Sequence, residues 1–110
     1  MAVDIQDFFN SHLPEVFATK AEEMKAWGVR YQISITGEGG GDWFVDASSS
    51  GPKVIPGVGD NPDVTIVIAA EDFRAMHADP KAGVQLFFTG QLKITGDQMK
   101  AMRFPELVKL

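Results

Sequence analysis

Leu86-Phe87-Phe88-Thr89-Gly90-Gln91-Leu92-Lys93-Ile94-Thr95-Gly96-Asp97 holds a helix end, a break, a short strand and a second break. Val84, Phe87 and Phe88 fall at i, i+3 and i+4, which is one face of a helix. Gly90 follows where a glycine commonly closes a helix C-terminus. From Gln91 to Thr95 polar and apolar residues alternate, so Leu92 and Ile94 share one face of a strand. Gly96-Asp97 then turns the chain into a last helical segment. The stretch carries no nucleophile and no metal-ligand set. Its large side chains suit the wall of an apolar space.

Upstream the pattern is that of a sheet. Val29 to Thr36 alternates, with Val29, Tyr31, Ile33 and Ile35 on one face and Arg30, Gln32, Ser34 and Thr36 on the other. This predicts a half-buried antiparallel strand. The glycines from Gly37 to Gly41 read as a hairpin connection, and Asp42 to Ala47 as the return strand. There Trp43 and Val45 face one way and Phe44 the other. Lys53 to Val58 is a third strand, and Pro56 suits it to an edge. Gly59 to Pro62 is a turn, and Asp63 to Ala69 a fourth antiparallel strand with Val64, Ile66 and Ile68 on one side.

Helices flank the strands. Asp4 is the expected N-cap of a helix from Ile5, whose pattern breaks or restarts at Pro14 and ends at Gly28. Ala70 to His77 places Phe73, Met76 and His77 together. Asp79-Pro80 is expected to start the next helix, with Asp79 as N-cap and Pro80 in the first turn. Met99, Met102 and Leu107 carry the tail, interrupted by Pro105. The expected fold is α+β: a five-stranded, mainly antiparallel sheet with helices gathered on one face.

Composition narrows the function. The chain has 110 residues, 45% of them hydrophobic, and no cysteine. That length suits one domain, residues 1–110, with a single core. Without cysteine there are no disulfides or thiolate chemistry, which fits a reducing, cytoplasmic setting. The acidic start lacks the basic region and apolar core of a secretory signal. No apolar run reaches the ~18 residues of a transmembrane helix. The net charge of -5 disfavours nucleic acid and anionic membrane as whole-protein partners. The charge is uneven, however. Residues 1–80 hold five basic and thirteen acidic side chains, whereas residues 81–110 hold five basic and two acidic.

Catalytic and cofactor motifs are missing. Two glycine runs suggest dinucleotide binding, but the third fingerprint position is Asp42 in one and Pro62 in the other. His12 and His77 are the only imidazoles, with no i+4 histidine partner and no cysteine to complete a zinc set. Ser48-Ser49-Ser50 lacks the setting of a nucleophile elbow. Glu71 and Asp72 fit a helix first turn, where acids complement the dipole. No catalytic residue, metal or cofactor is expected, and the chain is read as a non-enzyme.

Asp63 to Phe104 resembles the C-terminal half of the sterol carrier protein type 2 family. The elements that carry the likeness are the Asp63-Val-Thr-Ile66 strand, the Glu71-Asp72-Phe73 and Asp79-Pro80 helix starts, and Phe87 to Gly96. The Tyr31 strand, the glycine hairpin, Trp43 and Lys53-Val-Ile-Pro-Gly57 match in order and spacing. The resemblance implies that the sheet and its helices enclose an apolar tunnel. It implies binding and carriage of fatty acid, acyl-CoA, sterol or a related lipid. It also allows transient membrane contact, or an accessory role in which a lipid or quinone is presented to a partner enzyme. On that reading Tyr31, Ile33, Trp43, Ile66, Phe73, Met76, Phe87, Met99 and Met102 surround the ligand. Thr89 and Gln91 stand at one tunnel end, where the family commonly has glutamine and lysine. Lys93, Lys100 and Arg103 are the candidates for head-group contact. Val108-Lys109-Leu110 resembles a peroxisomal Ser-Lys-Leu address only loosely.

Overall fold

The computed structural model describes residues 3–110. Met1 and Ala2, the first residues of the acidic start, lie outside the described residues. Asp4 caps the first helix as its side chain suggests, accepting a 3.1 Å hydrogen bond from the Asp7 amide. Helix α1, Ile5–Asp7, runs into a π-helical turn, Phe8–His12, and then into α2, Leu13–Thr19. In the wide turn the Leu13 amide reaches back five residues to the Phe8 carbonyl. Pro14, which has no amide hydrogen, follows at once in the first turn of α2. The chain thus bends into a wider turn at the proline instead of ending the helix. Helix α3, Ala21–Lys25, follows, and Gly28 at φ +67° releases the chain into the sheet.

The sheet holds β1 (Val29–Thr36), β2 (Gly41–Ala47), β3 (Lys53–Pro56), β4 (Val64–Ala69) and β5 (Lys93–Gly96) in the order β3-β2-β1-β4-β5. Three pairings are antiparallel. The fourth differs from the strand-by-strand expectation: β4 runs parallel to β1, with Ile33 opposite Ile66. The parallel pair requires a crossover between β3 and β4, and Gln32 anchors it. Its side-chain amide donates to the Trp43 and Gly57 carbonyls, and its oxygen accepts from the Gly59 amide. Gln32 is therefore buried rather than solvated. Gly59 lies flat on the Phe44 ring, where a Cβ would stand 2.3 Å from a ring carbon.

The other sheet face carries Tyr31, Ile33, Trp43, Val45 and Ile66, all buried. The N-terminal helical segment covers the β2 side of it. The Phe9 ring stacks on Trp43 at 4.6 Å, and the Trp43 Nε1–H donates to Asn10 Oδ1 at 3.0 Å. Helix α4, Ala70–Ala78, presses Phe73 and Met76 onto the same layer, with Phe73 against Phe8 and Phe9. Helix α5, Ala82–Phe88, starts later than Asp79-Pro80 suggested. Asp79 instead ends α4 and turns the chain, accepting from the Lys81 amide. The two C-terminal helices, α6 (Gln98–Ala101) and α7 (Phe104–Val108), close the β5 end. Among the described residues, no helix is long and apolar enough to cross a membrane.

Candidate functional site

The stretch quoted at the outset forms the wall of a cleft of about 370 Å³. Its geometry begins at the end of α5. The Leu86 carbonyl accepts from the amides of Gln91 and Leu92, while Gly90 takes φ +81°. That closure folds β5 back beside α5. Gly83, Val84, Phe87 and Phe88 of α5 make one wall, and Leu92 and Ile94 the floor beside it. Asp97 caps α6 by accepting from the Met99 and Lys100 amides. This positions Gln98, Ala101 and Met102 as the second wall, with Phe104 and Pro105 at the end.

The cleft is buried at its base and open at its lips. Leu92, Ala101 and Phe104 are buried, whereas Val84, Phe88 and Met102 are 60%, 80% and 76% exposed. Gly83 lets α5 sit close to α4, because a Cβ there would stand 2.8 Å from the Met76 Cε. Gln98 is the one lining residue with a polar side chain. Apolar walls exposed to water lower the free energy of the system when an apolar molecule displaces that water. With a single amide in the lining, the arrangement suits shape-tolerant apolar contact rather than bond-making chemistry.

Of the residues expected to surround a ligand, Phe87 and Met102 line this cleft. Tyr31, Ile33, Trp43, Ile66, Phe73 and Met76 do not; they are filled core. The reason is the N-terminal segment, which lies over the part of the sheet that sequence pattern alone leaves open. Tyr31 and Met76 act from behind the cleft. The Tyr31 hydroxyl donates to the Lys100 carbonyl at 3.1 Å, and its ring lies 6.2 Å from that of Phe104. Burial pushes the Tyr31 hydroxyl well above its ordinary pKa, with Arg103 opposing and Glu106 adding to the shift. Met99 is 81% exposed just outside the lining. Thr89 and Gln91 also lie outside it. The Thr89 hydroxyl donates to Gln91 Oε1 at 2.8 Å, and the Gln91 amide reaches Asp72 of α4 at 3.5 Å.

The three basic candidates are likewise absent from the lining. Lys93 alternates with Leu92 and Ile94 and so takes the opposite face of β5. Lys100 pairs with Asp63 at 3.6 Å, and the Arg103 guanidinium stands 4.8 Å over the Trp27 ring. Gly83, Val84, Phe88, Leu92, Ile94, Gln98, Ala101, Phe104 and Pro105 complete the lining without having been named as contacts. The signal for five of them was already in the sequence: the helical stripe that includes Val84 and Phe88, the period-two pair Leu92 and Ile94, and the break at Pro105.

Two other hollows are more polar. A bowl of about 400 Å³ on the opposite sheet face includes Arg30, Asp46, Lys53 and Asp60. The buried Asp46 carboxylate is satisfied there by the Ser48 and Ser50 hydroxyls, with Arg30 at 3.9 Å. This gives the serine run a structural task. The two histidines share a smaller hollow with Phe8. His12 Nε2 meets the Leu110 carbonyl oxygen at 3.0 Å, and the His77 carbonyl accepts from Lys109 Nζ at 2.9 Å. Burial, then the charges of Lys109 and His12, hold the His77 imidazole below its ordinary pKa.

A family model described as the SCP-2 sterol transfer family matches residues 9–109. Hydroxysteroid dehydrogenase-like protein 2 of Rattus norvegicus is 36% identical over 88 residues, covering 79% of this chain but only 17% of that relative. Non-specific lipid-transfer protein-like 1 of Caenorhabditis elegans is 30% identical over 99 residues, covering 88% of this chain and 84% of the relative. The apo structure of sterol carrier protein 2 from Yarrowia lipolytica superposes with a TM-score of 0.70 at 24% identity, covering 94% and 83% of the two chains. With the family model matched over almost its whole length and the fold shared with a solved sterol carrier protein, the chain belongs to the SCP-2 sterol transfer family.

Proposed function

We propose that the chain binds and carries a lipid, with the α5-β5-α6-α7 cleft as the site where the apolar part of the ligand lies. The observation that carries this reading is the cleft itself: apolar at base and lips, with Gln98 as its one polar side chain. Phe87 and Met102 keep the contact role expected of them, joined by Val84, Phe88, Leu92 and Ile94. Burying each methylene of an acyl chain contributes ~0.8 kcal/mol. A long chain thus gains on the order of 10 kcal/mol before ordering costs reduce it. Phe88 and Met102 folding over the ligand turn the open cleft into the enclosed tunnel the family resemblance implies. A carboxylate head passing Gln98 into solvent meets the basic field of residues 81–110, to which Lys93, Lys100 and Arg103 contribute. The function is carriage, with no catalytic step.

Thermal unfolding with and without ligand tests the proposal. A ligand that binds only the folded chain adds about 2.7 kcal/mol at a hundredfold excess over Kd. Long-chain fatty acid, acyl-CoA or sterol should raise Tm; no shift with any of them overturns the reading.

A second reading is an accessory role, in which the cleft holds a lipid for a partner enzyme. It is favoured by the rat relative, where the matched stretch is 17% of a chain named as dehydrogenase-like. Co-purification of a lipid-modifying enzyme from the native host tests it.

A further inference from the structure

We infer that the polar bowl on the outer sheet face is a second ligand site, for a small organic phosphate. The inference is independent of the carrier reading, because none of the bowl's lining residues lines the cleft. Its centre is a row across three strands. Asp46 of β2 stands opposite Arg30 of β1 on one side and Lys53 of β3 on the other. The Asp46 carboxylate is buried, and each of its oxygens already accepts a serine hydroxyl, from Ser48 and Ser50. Arg30 Nε stays 3.9 Å away, outside hydrogen-bond range. Among the described residues Arg30 meets no other acid, and Lys53 meets none. The row therefore carries one unmatched positive charge and two cations with donors to spare. Residues 1–80 hold only five basic side chains, and two of them are gathered here.

The walls are fixed before any ligand arrives. Asp63 pins the Arg30 backbone twice. Its carboxylate accepts from the Arg30 amide and its own amide donates to the Arg30 carbonyl, each at 2.9 Å. Gln32 holds Gly57 and Gly59 of the crossover, and Gly59 lies on the Phe44 ring. Such preorganisation lowers the ordering cost of binding. Phe44 gives the bowl an apolar floor. Ile55 and Val58, the two exposed large hydrophobics outside the α5 and α6 surface among the described residues, both line it.

Charge and size select the ligand. A phosphate monoester carries about −1.5 to −2 charges at neutral pH. That answers both cations, whereas a carboxylate answers one. The Arg30 guanidinium suits two phosphate oxygens at once, and Lys53 adds a point charge. The apolar floor and sides then cover a small organic body, and a hollow of about 400 Å³ sets its size at roughly that of one ring with its phosphate. Asp60 also lines the bowl and opposes the anion. It is exposed, so solvent and salt screen its repulsion.

Amide NMR titration of the whole chain with phenyl phosphate tests this, with inorganic phosphate and benzyl alcohol as the two halves of the probe. Phenyl phosphate should give saturable shifts at Arg30, Ser50, Lys53, Val58 and Asp60. Inorganic phosphate should bind the same amides more weakly, and benzyl alcohol should leave them unmoved. Lys53→Gln should weaken phenyl phosphate about fivefold. Arg30→Lys keeps the charge beside Asp46 but loses the fork, and should weaken it about threefold. Asp60→Asn should tighten it about twofold. Val58→Ser should weaken phenyl phosphate about twofold and leave inorganic phosphate unchanged. Lys53, Val58 and Asp60 are exposed, so these variants should melt as the parent does. The inference is overturned if phenyl phosphate gives no saturable shift in the bowl, if Lys53→Gln binds it as the parent does, or if Asp60→Asn weakens it. Equal binding of benzyl alcohol overturns the role of charge, and equal binding of inorganic phosphate overturns the organic ligand. Saturating long-chain fatty acid should not displace phenyl phosphate; displacement would overturn the bowl as a separate site. Fatty-acid binding with a silent bowl sinks only this inference, whereas a working bowl without fatty-acid binding sinks only the carrier reading.

Discussion

The Tyr31 hydroxyl, from the central strand, donates a 3.1 Å hydrogen bond to the Lys100 carbonyl of α6, tying the filled core to the wall of the cleft. Tyr31→Phe keeps the ring and removes this tie. The expected cost is about 1 kcal/mol, or a fall in Tm of about 4 °C. Calorimetry checks it. Tyr31 also sets an alkaline limit. Its folded pKa lies above the unfolded value of 10.0, so its stabilising contribution is complete below that pH and declines as pH rises past it. The Phe variant should show a shallower loss in that range.

Val84 stands on a lip of the cleft and is 60% exposed. Val84→Trp has room in solvent to avoid the core, yet places a large ring across the opening. Affinity for a long-chain fatty acid should fall about tenfold with Tm nearly unchanged, because a substitution on an exposed surface is usually within about 0.5 kcal/mol. Fluorescent-lipid displacement and a melting curve together read both quantities. Unchanged affinity would place the ligand elsewhere.

Lys93 and Lys100 separate two roles that sequence could not. Lys100 is paired with Asp63, which also holds the Arg30 amide through its carboxylate. Lys100→Glu sets two acids together and should cost up to about 1 kcal/mol of stability, since the pair is partly exposed. Lys93→Glu, on the outer face of β5, should leave Tm unchanged and weaken a fatty acid only slightly, and less at high salt. Denaturant unfolding and binding isotherms of the two variants distinguish structural from field effects.

His77 gives the acid dependence. Its folded pKa is lowered below 6.5 by burial, with Lys109 and His12 adding repulsion. The unfolded chain therefore takes up this proton first. The stability tied to neutral His77 is fully present above pH 6.5 and is lost as pH falls below it. An NMR titration should find the His77 midpoint below that of a free histidine. His77→Gln should flatten the acid side of the stability profile.

How much of this was legible depends on which force decides each element. Local chemistry placed β1 at its observed ends, Val29 and Thr36, Asp4 as a cap, and Gly28 and Gly90 as helix ends, because alternation and glycine geometry act over a few residues. It failed where distant segments compete. Phe73, Met76 and Trp43 are as apolar as Phe87 and Met102, and nothing in their spacing tells that Phe8 and Phe9 arrive to fill their surroundings. The parallel pairing of β4 with β1 depends on a crossover anchored by Gln32, a residue that reads as one more solvent-facing position. Thr89 bonds to Gln91, and Gln91 in turn reaches Asp72, a contact across nineteen positions that no local pattern displays. The opening helical stripe was legible as apolar, but its partners were not: it is left exposed over a cleft rather than packed.

Titration of isotopically labelled protein with a long-chain fatty acid, followed by amide and methyl NMR, tests the central claim most directly. The account predicts saturable shifts concentrated at Val84, Phe87, Phe88, Leu92, Ile94, Ala101 and Met102, with little change at Ile33, Trp43 and Val45. Shifts centred instead on Ser50, Lys53, Ile55 and Val58 of the opposite face, or no saturable shifts at all, would contradict it.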